Sequence, residues 1–120
     1  VSGYPIKLNF LPHLIPAMRG IYSTIYLQLK ETQGLNIQDL YESFYKDSPN
    51  VRIMKPSNAP DIKSVAHTNN CDISVNYSDI ENQVIVISSI DNLLKGAAGQ
   101  AVECYNLMKG FNQSAGLDNG

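Results

Sequence analysis

Ten residues constrain the fold of this chain more than any others. Over 21–30 the sequence alternates without a break. Ile21, Ser23, Ile25, Leu27 and Leu29 fall on one side, and Tyr22, Thr24, Tyr26, Gln28 and Lys30 on the other. A period of two, carried by β-branched and aromatic residues, predicts a β-strand with two unlike faces. A lone strand has unpaired backbone groups along both edges, so the rest of the chain must supply neighbours. Two further runs do so. Residues 71–77 alternate, and residues 84–90 are almost continuously apolar. The polar stretch between them, 78–83, predicts a turn and the pair a hairpin. The apolar return strand is expected at the centre of the sheet, covered on both faces.

Weaker signals fill in the rest. Residues 6–11 alternate loosely and read as a strand end, and 51–55 as a short strand stopped by Pro56. Residues 63–68 read as extended. A helix is expected after Asn36, a good N-cap, with Asp39 in a capping-box-like position and Leu35 and Leu40 placed as a hydrophobic staple. Ile37, Leu40, Tyr41 and Phe44 supply its apolar stripe, and Pro49 ends it near Asp47. Asp91 and Asn92 open a second helix over 95–109, with Leu94, Ala98, Ala101, Tyr105 and Met108 on one stripe and Gly110 at C′. Residues 113–120 read as a polar, frayed tail. The order β-β-α-β-β-β-β-α predicts a single α+β domain over 1–120, a mostly antiparallel mixed sheet with helices on one face.

Composition narrows function by exclusion. The 120 residues carry a net charge of −2 and 43% hydrophobic residues, which suits a core-forming globular chain. No basic patch offers itself to a nucleic-acid backbone, and no apolar run has the length of a membrane span. The start of the chain has neither the basic residues nor the apolar stretch of a signal peptide. Two cysteines and two histidines, all far apart, make no metal spacing. The expectation is a cytoplasmic protein with reduced thiols, binding no metal, nucleic acid or membrane. Neither G-x-G-x-x-G nor G-x-x-x-x-G-K-[ST] occurs, so a nucleotide-binding half, if the activity needs one, lies elsewhere.

Two stretches carry candidate chemistry. Pro12 and Pro16 fix the backbone around His13, and Arg19 follows six residues later. Histidine suits general acid–base work near neutral pH, and arginine suits a bidentate carboxylate or phosphate contact. Each also has a plain alternative, a solvated loop histidine and a surface charge. The second stretch is the opening of the last helix: Asn92, Lys95, Gly96, Gly99 and the alanines between. Bare N–H groups at a helix start with little side-chain bulk suit an approaching anion or amide-bearing ring. Tight packing of helix on sheet would use the same residues. His13 is expected at the lip of a cleft, opposite this glycine-rich turn. Cys71 and Cys104 are expected to be buried, inert thiols rather than nucleophiles. His67 is expected to be structural or exposed.

Four motifs, in order and spanning nearly the whole chain, carry a family resemblance. They are Phe10-Leu11-Pro12-His13-Leu14-Ile15-Pro16-Ala17-Met18-Arg19-Gly20-Ile21, residues 50–57 (NVRIMKPS), residues 68–73 (TNNCDI) and residues 90–102 (IDNLLKGAAGQAV). Together they resemble the N-acetyl-gamma-glutamyl-phosphate reductases of arginine biosynthesis. The last is also similar to the aspartate-semialdehyde dehydrogenases. The resemblance implies a domain like the C-terminal domain of glyceraldehyde-3-phosphate dehydrogenase, serving catalysis and dimerisation beside an NADP-binding Rossmann domain. It implies reduction of an acyl phosphate to a semialdehyde, through a cysteine thiolate, with NADPH as hydride donor. His13 would be the acid/base, Arg19 a substrate-binding residue, and Asn92, Lys95, Gly96 and Gly99 the cofactor-facing helix start. Two parts of the family pattern are missing. The nucleophile's Pro-Gly-Cys-Tyr-Pro type motif is absent, and so is the Rossmann half. The chain therefore reads as a piece of a homo-oligomeric reductase, inactive by itself. Alternatives are a non-enzymatic dimerisation or binding module and a related semialdehyde dehydrogenase. His67 departs from the family, which usually has a small residue there.

Overall fold

A computed structural model of the chain describes residues 3, 5–30, 34, 36–56, 58–78 and 82–117. The elements run β1 (Ile21–Gln28), α1 (Ile37–Tyr45), β2 (Val51–Ile53), α2 (Ile62–Val65), β3 (Cys71–Ser78), β4 (Gln83–Ile90) and α3 (Gly99–Lys109). A π-helical turn, Leu94–Ala98, leads into α3. The strands form one sheet in the order β1-β4-β3-β2. β4 pairs antiparallel with both β1 and β3, and β3 pairs parallel with β2. The apolar return strand is thus central, and the fold is the expected α+β domain with a mixed, mostly antiparallel sheet.

Register decides what faces what. Ile21 pairs Ile90, Ile90 pairs Cys71, and Cys71 pairs Val51, so these four lie in one row on one face. The core sits on that face: Ile73, Val75, Val84 and Val86 are buried, with Ile37, Tyr41 and Tyr45 of α1 packed against them. α1 starts as expected, because Asn36 accepts hydrogen bonds from the Gln38 and Asp39 N–H groups. Its apolar stripe also fits the prediction in part, though Leu40 and Phe44 remain exposed. The opposite face is polar towards one end. There Asp72, Ser74 and Ser89 are buried, and α2 lies nearby. The Ser89 hydroxyl donates to the Asp61 carbonyl, and Arg52 donates to Asp72 and to the Ser64 carbonyl.

Several expectations are corrected. Residues 6–11 form no strand; they lie beside no strand among the described residues, and alternation alone leaves the ladder unmade. Residues 62–65 are a helical turn rather than extended, because Asp61 caps it by accepting from the Lys63 N–H. The short α2 turn is an addition to the expected elements and lies on the face opposite α1. The stripe of α3 is reversed: Gly99, Glu103 and Asn106 are buried, whereas Ala101, Val102, Tyr105 and Met108 are exposed. The helix ends as expected at Gly110, whose φ of 70° is left-handed. Cys104 is exposed, not buried, and Cys71 is half-buried. Burial pushes the Cys71 thiol up, which keeps it protonated, in line with an inert thiol. The Leu35 staple, most of the 31–34 loop, turn residues 79–81 and tail residues 118–120 lie outside the described residues.

Candidate functional site

Three segments meet at Asp91. The first is the end of the loop before β1, the second the loop between α2 and β3, and the third the π-helical turn. The Asp91 carboxylate is fully buried and accepts five hydrogen bonds. Arg19 Nη1 donates to both of its oxygens at 3.1 and 3.3 Å, the His67 N–H at 2.8 Å, and the Leu93 and Leu94 N–H groups at 2.8 and 3.0 Å. Burial alone pushes its pKa up. The three backbone donors and the Arg19 charge more than offset that, and the carboxyl is held below its usual range. Asp91 is therefore an anion at pH 7, seated in the field of the helix start.

That seat explains the local backbone. The Asp91 carbonyl takes the Gly96 N–H at 2.9 Å and the Leu93 carbonyl takes the Ala98 N–H at 3.1 Å. These i→i+5 bonds make the π turn, a form that recurs at functional sites. His67 has a φ of 62°, a left-handed conformation that a small residue such as glycine takes at less cost. In that conformation its N–H is aimed at Asp91. The next residue, Asn92, fixes the other side of the junction: its Oδ1 accepts the Gly20 N–H at 2.9 Å. Gly20 has a φ of 105°, and a Cβ there would lie 2.2 Å from Ile62 Cγ2, so only glycine fits the corner.

The residues predicted from sequence divide into three groups. Arg19 and Asn92 are brought together here. Lys95, Gly96 and Gly99 are near, but are used internally. Lys95 Nζ lies 2.5 Å from Glu103 Oε2. A Cβ on Gly96 would sit 3.3 Å from the Asp91 carbonyl oxygen and 3.4 Å from Ile90, and one on Gly99 only 2.0 Å from Asn69 Oδ1. The space at buried Gly99 is filled by Asn69, while Gly96 is exposed on one side and closely backed by Asp91 and Ile90 on the other. The open anion site expected at the helix start is thereby corrected: its donors are already taken by Asp91, and a second anion there would meet a carboxylate. His13 stands apart. It is exposed on the loop, and its described contact is Nδ1 to the Leu11 carbonyl at 3.2 Å. A carbonyl only accepts, so Nδ1 carries the proton, and in the neutral ring Nε2 is the free base.

Two cavities are formed by the described residues, and both lie along α1. One cavity of 680 Å³ is lined by Asn36, Ile37, Gln38, Val75, Asn76 and Tyr77 among others, and another of 300 Å³ by Leu40, Tyr41, Phe44 and Tyr45. Neither touches His13 or the π turn. Among the described residues no group of histidine, cysteine and carboxylate side chains is arranged to hold a metal. No described helix is long and apolar enough to cross a membrane.

Sequence reasoning missed the polar interior beneath the turn. Glu103 is 1% exposed and accepts from Asn50 Nδ2, Lys95 and Gln113 Nε2. Burial pushes its pKa up, but these donors and the Lys95 charge hold it below the usual range. Asn106 Nδ2 donates to the Gln113 and Ala115 carbonyls, tying the tail back. Asn69, 2% exposed, has no partner for either side-chain atom among the described residues. Gly99, Glu103 and Asn106 recur at i, i+4 and i+7. That periodicity was available in the sequence, but in polar residues.

Comparison with known proteins covers the whole chain. The sequence model described as semialdehyde dehydrogenase, dimerisation domain, matches residues 1–92. Proteins named N-acetyl-gamma-glutamyl-phosphate reductase are similar from end to end. That of Brachyspira hyodysenteriae is 42% identical over 121 residues, and that of Methanosarcina barkeri 45% over 118, each across 98% of this chain. That of Geobacillus thermodenitrificans is 48% identical over 117 residues, across 97% of the chain. The chain spans 34% of the length of each of these relatives.

Proposed function

Because the chain belongs to the semialdehyde dehydrogenase family, through its dimerisation domain, we propose that it is the catalytic and dimerisation part of an N-acetyl-gamma-glutamyl-phosphate reductase. The parent protein would reduce an N-acetyl-glutamyl phosphate to the semialdehyde in arginine biosynthesis, in the cytoplasm. The observation that carries this reading is the similarity to proteins of that name along 97–98% of the chain. The Rossmann half and the nucleophilic cysteine would lie outside these 120 residues, so this stretch alone is expected to be inactive.

Each residue then takes a role suited to its chemistry. Acyl-phosphate reduction needs a base to activate the thiol and an acid to protonate the collapsing intermediate. His13, with Nε2 free and its ring exposed, is proposed for both. Arg19 is proposed to bind the anionic substrate, because among the described residues Nη1 alone of its guanidinium is committed, and its side chain is 32% exposed. For the cofactor, these residues offer little of a cradle: the Leu93 and Leu94 N–H groups are taken by Asp91, and the gap at Gly99 is filled by Asn69. NADPH, as hydride donor, would be held by the missing half. Asn92, whose Nδ2 has no described partner, is the group this chain has left to face it. Lys95, Gly96 and Gly99 would act by shaping the turn behind Asn92. A homo-oligomer is proposed, with β1 as part of the contact, since Ile21, Tyr22, Ile25 and Tyr26 are all more than 40% exposed.

The test is turnover by the longer protein that contains this chain. It should release phosphate and oxidise NADPH with N-acetyl-glutamyl phosphate, and His13→Ala should lower kcat by about 10²–10⁴-fold. NADPH oxidation by the 120 residues alone would refute the division of labour. A dimeric parent without acyl-phosphate turnover would favour the dimerisation module instead.

A further inference from the structure

We propose that Asp91 is the positioning residue for Arg19, holding the guanidinium by one nitrogen so that its opposite edge is presented to an oxyanion. This deepens, and rests on, the substrate-binding reading of Arg19. A free arginine on a loop samples many rotamers and meets an anion in few of them. Here Nη1 bridges both carboxylate oxygens at 3.1 and 3.3 Å. The guanidinium is planar, so anchoring one nitrogen on a buried carboxylate, with the other end tethered to the backbone, narrows the orientations of the plane, and Nε and Nη2 lie along its remaining edges. Neither has a partner among the described residues, and the side chain is partly open to solvent.

The carboxylate can serve as a reference point because it is buried and held from several sides. Its oxygens are also held by the His67, Leu93 and Leu94 N–H groups, which belong to two other segments. The backbone of the arginine is fixed independently, through the Gly20 N–H on Asn92 and the close approach of Gly20 to Ile62. Arg19 is therefore pinned at both ends of its side chain. A contrasting pair shows that this is not a general habit of the chain. Arg52 meets Asp72 through Nε and Nη2 together, and Nη2 also reaches the Ser64 carbonyl. Its fork is spent internally, whereas that of Arg19 is held from one corner.

The ligand class is a small oxyanion, a phosphoryl group or a carboxylate. An acyl phosphate of an amino acid offers both. Positioning and bare charge make opposite predictions. If Asp91 were only a neighbouring negative charge, removing it would strengthen anion binding by Arg19. If it holds the guanidinium, removing it weakens binding, because the fork loses its orientation.

The experiment is an NMR titration of the ¹⁵N-arginine-labelled 120-residue chain with inorganic phosphate and, separately, with acetate. The expected result is a shift of the Arg19 Nε and Nη2 signals, with Nη1 moved least. Asp91→Asn should weaken the same titration by about tenfold. A response to phosphate alone assigns the phosphoryl end of the ligand to Arg19, and a response to acetate alone assigns the carboxylate end. No shift at Arg19 with either anion overturns the proposal. So does a shift led by Nη1, or an Asp91→Asn chain that binds as tightly as the original or more so. If Asp91→Asn does not give a folded spectrum, Arg19→Lys decides. It keeps the charge beside Asp91 without a fork and, followed through the backbone amide signals of Gly20 and Asn92 in uniformly ¹⁵N-labelled chains of both kinds, should bind about tenfold more weakly than the original; equal binding overturns the proposal. The readout does not use turnover, so failure here is distinguishable from failure of the reductase reading.

Discussion

Residues 6–18 and the junction at Asp91 are neighbours in the chain's architecture and opposites in physics. The first stretch is rich in apolar side chains, and they are in water: Phe10 is 80% exposed, Leu14 104% and Met18 98%. Its described hydrogen bonds are local, Ala17 N–H to the Ile15 carbonyl and His13 to the Leu11 carbonyl. The second is built from charge and backbone, yet Asp91 is 0% exposed and every oxygen is partnered. Apolar content alone therefore does not decide what is buried here. A hydrophobic segment contributes only where something lies against it, whereas a buried carboxylate that accepts five hydrogen bonds from four donors organises three segments at once.

The largest effect should come from breaking the junction. Asp91→Ala leaves Arg19 without its counter-charge and three N–H groups without an acceptor. Removing one member of a buried pair costs about 3–5 kcal/mol, and the partial exposure of Arg19 places the expected loss near the lower end. Urea denaturation would show it as a lower midpoint at unchanged slope. A loss below about 1 kcal/mol would mean that the junction is not what holds these segments.

Gly99→Ala should come next, and its sign is informative. Alanine in a helix is favoured over glycine by about 1 kcal/mol. At this position the new Cβ would lie 2.0 Å from Asn69 Oδ1 and 3.0 Å from the Leu94 carbonyl carbon. Asn69 is buried and has little room to retreat, so overpacking at about 1–3 kcal/mol should outweigh propensity. Adding Asn69→Ala to the same chain should recover stability. If Gly99→Ala alone stabilises, the Asn69 contact is soft.

Acid should weaken the polar interior by a smaller and graded amount. Asp91 and Glu103 both have folded pKa values below their unfolded ones. Each therefore contributes stability that is complete above its unfolded pKa, about 4, and is lost as pH falls through that value towards the folded one. Unfolding free energy should be flat from pH 7 to about pH 5 and decline below it. Glu103→Gln should make the decline shallower, and a slope that does not change would assign it to other carboxylates.

What the sequence reveals and conceals follows the same division. The strands over 21–28, 71–78 and 83–90 were legible because period-two alternation, turn residues and a neighbour for each strand all agree. α1 was legible from its cap and stripe. Residues 6–11 show the limit: alternation there describes a strand that needs a partner, and the described residues supply none. α3 shows another. Its apolar stripe marked an inner face, but Lys95, Asn50 and Gln113 make a polar interior for Glu103, and the stripe turned outward. Of the site, Arg19 and Asn92 were legible by residue type, and Asn92 by its place at a helix opening. In sequence Asp91 shows only as part of a helix opening, because nothing local indicates that a residue 72 positions earlier will reach it.

The smallest effect expected is the one that most sharpens the contrast. Leu14→Ser removes a large apolar side chain, a change that costs about 2–5 kcal/mol in a core. Leu14 has no surface to lose, being 104% exposed, so the unfolding free energy of the chain should change by less than about 0.5 kcal/mol. A larger loss would show that this stretch packs against the domain in solution, and Leu14 would join the core. With no loss in the chain, the same substitution in the longer parent becomes informative. If the stretch is covered in the longer reductase proposed above, Leu14→Ser should lower the stability of that protein while leaving that of this domain unchanged, and the difference would measure the burial that its other part supplies.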